Sequence, residues 1–263
     1  MHLLTPFILR VSFGLALGMA LTSPRQVPSG YFRNHLYVLL GLNVLAALVA
    51  FSTPIQLATP YSAQINLLLW PPALAAALSY VGSVCWLYEK PRPGIAALLL
   101  VAGVSLAGAI LAGMRSGDSE LSPMAHALHW LDPATGGLVL GFTLAAMFLG
   151  HWYLNTPTMV IAPLQKLVVL LAVAVAARIV VCGIGLGCEL TVVGTLSTER
   201  WLFLLLRWLS GLVGTLLLCW MTYRTLQIPN TQAATGMLYV AVIATFLGEL
   251  TSMLLSAGSM YPL

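Results

Sequence analysis

Four charged residues stand inside long apolar runs: Arg10, Arg178, Arg207 and Glu249. A charged side chain at the centre of a bilayer costs about 2.5–3.5 kcal/mol even on the lenient insertion scale. Such residues persist where they pair with one another or meet a ligand. Glu249 is the sharpest of the four, because a short carboxylate cannot reach the interface as a long arginine can. It lies on a polar stripe, since Thr245, Glu249, Ser252 and Ser256 share one helix face. Around Arg207, Ser210, Gly211 and Gly214 fall on neighbouring turns, and small residues let helices approach closely. The chemistry this set could perform is anion binding. Glu249 pairs with Arg178 or Arg207, and the surplus positive charge meets a carboxylate, a lipid phosphate or a cofactor propionate. The plainer account has the arginines snorkelling and Glu249 in one structural salt bridge.

A second group lies in Gly150–Pro157, at the end of one apolar run and before the next. His151 is the one histidine clearly inside a span, and Trp152, Tyr153 and Asn155 follow it. Trp and Tyr at this position serve as interfacial anchors. The imidazole could also ligate a b-type haem or hydrogen-bond a quinone carbonyl. A bis-histidine haem needs a second ring at the same depth; His35 is the candidate, with Met159 a weaker substitute. A third group, His126 and His129, shares one face of a short helix, with Asp118, Glu120 and Asp132 nearby. Two histidines without a compelling third ligand make a poor metal site, and solvated loop residues are the better account of them.

The elements that must position these residues are membrane helices. The chain has 263 residues, of which 60% are hydrophobic and 7% charged. Soluble domains carry about 25% charged residues, so this surface is built for lipid. Runs long enough to span predict an all-α, polytopic membrane protein, a bundle of about eight transmembrane helices at 3–22, 36–53, 64–87, 94–113, 135–154, 160–188, 201–223 and 235–257. The run from Phe7 to Leu21 has the length of a signal-peptide core, but no Lys or Arg precedes it and Arg10 interrupts it. A retained first helix is expected. Pro24, Pro28, Pro54, Pro60, Pro91, Pro93, Pro157 and Pro163 mark breaks, and Pro71 and Pro72 predict a kink or a later start in the third run. Residues 114–134 read as a long loop with a short interfacial helix over Ser122–Trp130.

Orientation follows from the basic residues. Arg25, Arg33, Lys90, Arg92, Lys166 and Arg224 fall in one set of loops, and Arg115 and Arg200 in the other. That bias puts both termini on the non-cytoplasmic side, and the inner (cytoplasmic) membrane is the expected location. At about 1.5 Å rise per residue, Arg10, Arg178, Arg207 and Glu249 then lie roughly 9–13 Å below the outer edge, in one layer.

The two halves, 1–113 and 135–263, look related within one integral-membrane domain. Leu-Leu-Leu-Trp70 … Cys85-Trp86-Leu87-Tyr88 is echoed by Leu-Leu-Leu-Arg207 … Cys219-Trp220-Met221-Thr222-Tyr223, each followed by a proline-containing turn and a Gly/Ala-rich helix. A parallel 4+4 repeat follows. In helix number and plan the chain is similar in outline to the haem A synthase family. That resemblance carries no activity, because the family's paired intrahelical histidines have no counterparts here.

Several classes are excluded. The scattered basic residues form no nucleic-acid patch. The cysteines, Cys85, Cys182, Cys188 and Cys219, make no CxxC pair, and Cys182 and Cys188 are roughly 9 Å apart along a helix, too far for a disulfide. No phosphate loop, GxSxG or HExxH is present. The chain is therefore expected to lack catalytic activity on its own. The expected function is a membrane subunit of a respiratory or electron-transfer assembly, one that binds quinone or haem or holds other membrane subunits. The alternative is a gradient-driven carrier or channel for a small anion.

Overall fold

Prolines and small polar caps set where the helices begin. In this computed structural model, residues 3–52, 62–113, 122–156, 158–228 and 230–263 are described. They form α1 (Leu4–Ala20), α2 (Ser29–Ser52), α3 (Ser62–Leu87), α4 (Pro91–Gly113), α5 (Pro123–Asn155), α6 (Ala162–Val193), α7 (Thr198–Leu226) and α8 (Thr231–Ala257), and no strand occurs among them. Pro91 and Pro123 open α4 and α5, where the missing N–H is no loss. Ser122, Ser197 and Asn230 cap α5, α7 and α8, each accepting from the backbone N–H three residues on, at 3.2, 3.4 and 3.0 Å. Helices α2, α4, α5, α6, α7 and α8 are each long and apolar enough to cross a membrane, and α1 is a shorter apolar helix of 17 residues. The chain is a multi-pass helical membrane protein.

Helices reach further than their apolar cores. α2 starts at Ser29 rather than 36, which brings Arg33 and His35 into its first turns. α6 runs on to Val193, where Gly194 at φ +75° ends it. The largest correction is at α5. The expected loop and interfacial helix at 122–134 are one continuous helix with the following span, and Pro133 lies within it. The later start expected at Pro71-Pro72 does not occur, since both prolines lie inside α3. Arg115, Asp118 and Glu120, and the break prolines Pro54, Pro60 and Pro157, lie outside the described residues.

Contacts divide the chain into two compact units, Met1–Gly113 and Met114–Leu263. In the first, α1 packs on α2 and α4, and α3 packs on the same two. Asn43 of α2 donates to Ser12 Oγ of α1 at 3.0 Å, and Thr5 Oγ1 donates to Ala46 O at 3.3 Å. Phe32 of α2 stacks on Trp86 of α3, with ring centroids 4.0 Å apart. Gly108 of α4 admits Pro71, because a Cβ there would lie 2.5 Å from the proline's own. The α3–α4 turn closes without glycine. Glu89 takes φ 54°, Lys90 N–H donates to Cys85 O and Glu89 N–H to Trp86 O, which is the Schellman pattern.

The second unit repeats that neighbour order: α5 packs on α6 and α8, and α7 packs on the same two. Its third helix is interrupted. Residues Arg207–Gly214 of α7 are π-helical, a form used mostly as short insertions in α-helices and often at functional sites. The π segment meets α8 backbone to backbone, and a Cβ on Gly211 would lie 2.7 Å from Gly248 Cα. Only residues without side chains permit this approach.

Candidate functional site

Arg178 sits halfway along α6 and is fully buried. Each nitrogen of its guanidinium is engaged. Nε donates to Glu249 Oε1 at 2.9 Å and Nη2 to Glu249 Oε2 at 2.8 Å, a two-point grip on one carboxylate from α8. Nη1 donates to Asp132 Oδ1 of α5 at 2.7 Å, to Asp132 O at 3.1 Å and to Thr135 Oγ1 at 3.2 Å. Nη2 also reaches Ser252 Oγ at 3.2 Å. One cation thus joins three helices through two carboxylates. Bidentate arginine–carboxylate bonds of this kind are among the strongest in proteins.

One turn further along α6, buried Cys182 accepts a hydrogen bond at 2.7 Å from Nη2 of Arg207, which opens the π segment. Arg207 is 1% exposed, and its Nη1 is buried with no hydrogen-bond partner among the described residues. Counted along their helices at about 1.5 Å per residue, Asp132, Arg207 and Glu249 all lie roughly 12–14 Å from the helix ends on one side of the unit.

The segment Gly258–Leu263 covers that side. Glu189, buried near the end of α6, accepts from Met260 N–H at 3.1 Å and Tyr261 N–H at 3.2 Å. Ser256 Oγ accepts from Leu263 N–H at 3.0 Å, while Ser252 donates to Leu263 O. His129 meets Met260 O at 3.1 Å and Arg200 donates to Gly258 O at 3.2 Å. A Cβ on Gly185 would run into the Pro262 carbonyl oxygen. Ser252 touches both Arg178 and Leu263, so the segment and the charge cluster share a side chain.

The cluster differs from the expected one in membership and in sign. Glu249 pairs with Arg178, and the Thr245–Ser252 stripe faces inward, for all its members there are buried. Asp132, however, lies within α5 rather than in a loop, and is the second partner of Arg178. Glu189 is buried too. Among its described residues the unit therefore buries two cations, Arg178 and Arg207, against three acids, Asp132, Glu189 and Glu249. With these five ionised, one negative charge is in excess among them, in place of the expected surplus of positive charge. Arg10 is buried on α1 of the first unit.

The aromatic group spreads over both units. His35 is buried on α2, its Nδ1 2.6 Å from Tyr31 O and its ring 4.5 Å from the Tyr31 ring. His151 is exposed on α5, with Nδ1 3.0 Å from the Tyr239 hydroxyl. Tyr153 is buried and donates to Val160 O, Trp152 is half-buried and Asn155 is exposed. Thr156 donates to Met159 Sδ at 3.0 Å. No group of three His, Cys, Asp or Glu side chains is arranged for a metal among the described residues. His126 turns to Ser122 O at 3.2 Å, His129 to Met260, and Asp132 to Arg178. The four cysteines are free.

Set against protein-family models, curated proteins and solved structures, the chain matches none of them.

Proposed function

We propose that the chain is a gradient-driven membrane carrier that moves a small anion together with a proton. One observation carries the reading: a single buried guanidinium, Arg178, is shared by two carboxylates on two other helices of a membrane bundle. Ionisable groups at this depth are expensive and typify ion and proton pathways. Two four-helix units with one neighbour order, and a helix irregular beside the charges, also fit the plan of carriers built from repeats.

The charges suggest how such coupling works. While Asp132 and Glu249 are both ionised, Arg178 is fully committed and the interior holds its excess negative charge. A proton on Glu249 turns a strong acceptor into a neutral acid, removes the excess and loosens the grip on Arg178. An anion then meets an interior with no net charge, and an Arg178 with donors to spare, instead of a negative one. Loss of the proton on the other side returns Glu249 to Arg178 and expels the anion. With the orientation read from the basic residues, in an inner (cytoplasmic) membrane with both termini outside, the cluster lies in the outer half of the bilayer.

The test is uptake of formate, nitrate or chloride into liposomes under an inward proton gradient. Wild type is expected to take up at least one of them, and Glu249→Gln to take up none while eluting from a sizing column like wild type. Equal uptake by Glu249→Gln removes the reading's main residue.

His35 favours a second reading, a subunit of an electron-transfer assembly that binds quinone or haem b and holds other membrane subunits. Its Nδ1 sits on a backbone carbonyl, the arrangement that fixes a histidine to act through Nε2. A reduced-minus-oxidised spectrum with an α-band lost in His35→Ala supports it; a flat spectrum with no extractable quinone removes it.

A further inference from the structure

The two buried arginines of the second unit are provided for very differently. Arg178 makes six hydrogen bonds to carboxylate, hydroxyl and carbonyl oxygens. Arg207, equally buried, has for Nη2 only the Cys182 sulfur, and for Nη1 no partner among the described residues. A thiol is a weak acceptor. Holding a guanidinium away from water without oxygen acceptors is costly, and a buried N–H left over in a native fold calls for an explanation.

The surroundings fix Arg207 where it is. It opens the π segment, and four residues on Gly211 is pressed against Gly248 of α8, so the helix cannot slide to bring Arg207 outward. Cys182 is one turn from Arg178 on α6, so the two guanidinium groups flank one thiol. The nearby carboxylates are already taken, since Asp132 and Glu249 are on Arg178 and Glu189 is on the backbone of Met260 and Tyr261.

We propose that Arg207 is the anion-receiving group of the second unit and that its Nη1 and Nη2 take a small, planar, monovalent oxyanion, with formate and nitrate as the simplest members. The inference rests on the carrier reading for its place in a transport cycle, but the site is defined by equilibrium binding. Planarity follows from the donor geometry, because the two parallel N–H bonds of a guanidinium match two oxygens of one planar group. Small size follows from the burial. The anion takes the bond from Cys182, so the thiol is a placeholder that competes weakly.

The experiment is thermal unfolding of the full chain in detergent at constant ionic strength, with sodium gluconate replaced stepwise by sodium formate. Wild type is expected to show a saturable rise in Tm with formate, and with nitrate, that chloride does not match. Arg207→Met is expected to lose the rise. Cys182→Ala, which removes the competing thiol, is expected to reach the same rise at lower formate concentration, and it decides the matter if Arg207→Met does not fold. No formate-dependent rise in wild type, or the same midpoint in wild type and Cys182→Ala, overturns the proposal. A rise in Tm without flux in liposomes removes the carrier reading and leaves the anion site; flux without a rise does the reverse.

Discussion

The two four-helix units solve one packing problem with different materials. The first is held by shape: Trp86 stacked on Phe32, Pro71 set against Gly108, and a modest polar link from Asn43 to Ser12. The second is held by charge, with Arg178 drawing α5 and α8 onto α6 through Asp132 and Glu249. Both disturb their third helix just past a Leu-Leu-Leu run, one with Pro71-Pro72 and the other with the π segment from Arg207. The echoed tryptophans part company as well, since Trp86 is buried and Trp220 is exposed. Packing by shape is tolerant, because apolar side chains can be exchanged at small cost when volume is kept. A charge cluster is not, because removing one member strands the others in a medium that cannot solvate them. The second unit is therefore the one whose members depend on one another most.

The largest effect is expected from Arg178→Met, which leaves two buried carboxylates without their cation. Loss of one partner of a buried pair costs about 3–5 kcal/mol, and detergent unfolding should show the second unit failing first. A loss below about 1 kcal/mol would mean that the cluster is not the unit's keystone. Next come the close crossings. Gly248→Val forces α8 off the π segment, and Gly108→Val does the same at Pro71, each at about 1–3 kcal/mol of overpacking. Similar losses support equal reliance on shape at these points; loss at Gly108 alone sharpens the contrast, and loss at Gly248 alone breaks it. Glu189→Ala removes the acceptor of two backbone N–H groups and should free Gly258–Leu263 at about 1–3 kcal/mol, seen as faster proteolysis after Gly258 with the Arg178 bonds intact. The smallest effect is expected from Asn43→Ala in the first unit, about 0.6 kcal/mol, typical of interhelical hydrogen bonds in membranes.

Much of the architecture was legible because lipid imposes it. Runs of about 20 apolar residues between prolines give spanning helices whatever their tertiary partners. Helix ends were not legible, since a helix continues past its apolar core while caps such as Ser122 and Asn230 supply partners. Asp132 lies in such an extension. An Asp-Pro pair beside two histidines reads as loop, yet Leu128, Asp132 and Thr135 follow helical spacing, and the run of such positions through Pro133 was the available signal. Glu249 stood out through its serine and threonine stripe. Cys182 carried no signal at all, because its part depends on Arg207 arriving from a helix 25 residues away in the chain.

The most direct measurement is a double-mutant cycle on Arg178 and Glu249, with Asn43 and Ser12 as the first unit's reference pair. Unfolding free energies are expected to give a coupling of about 1–3 kcal/mol between Arg178→Met and Glu249→Gln, several times that between Asn43→Ala and Ser12→Ala. The double variant should then be less damaged than the sum of its single changes. Additive losses at Arg178 and Glu249, no more coupled than the reference pair, would contradict a second unit organised around one shared charge.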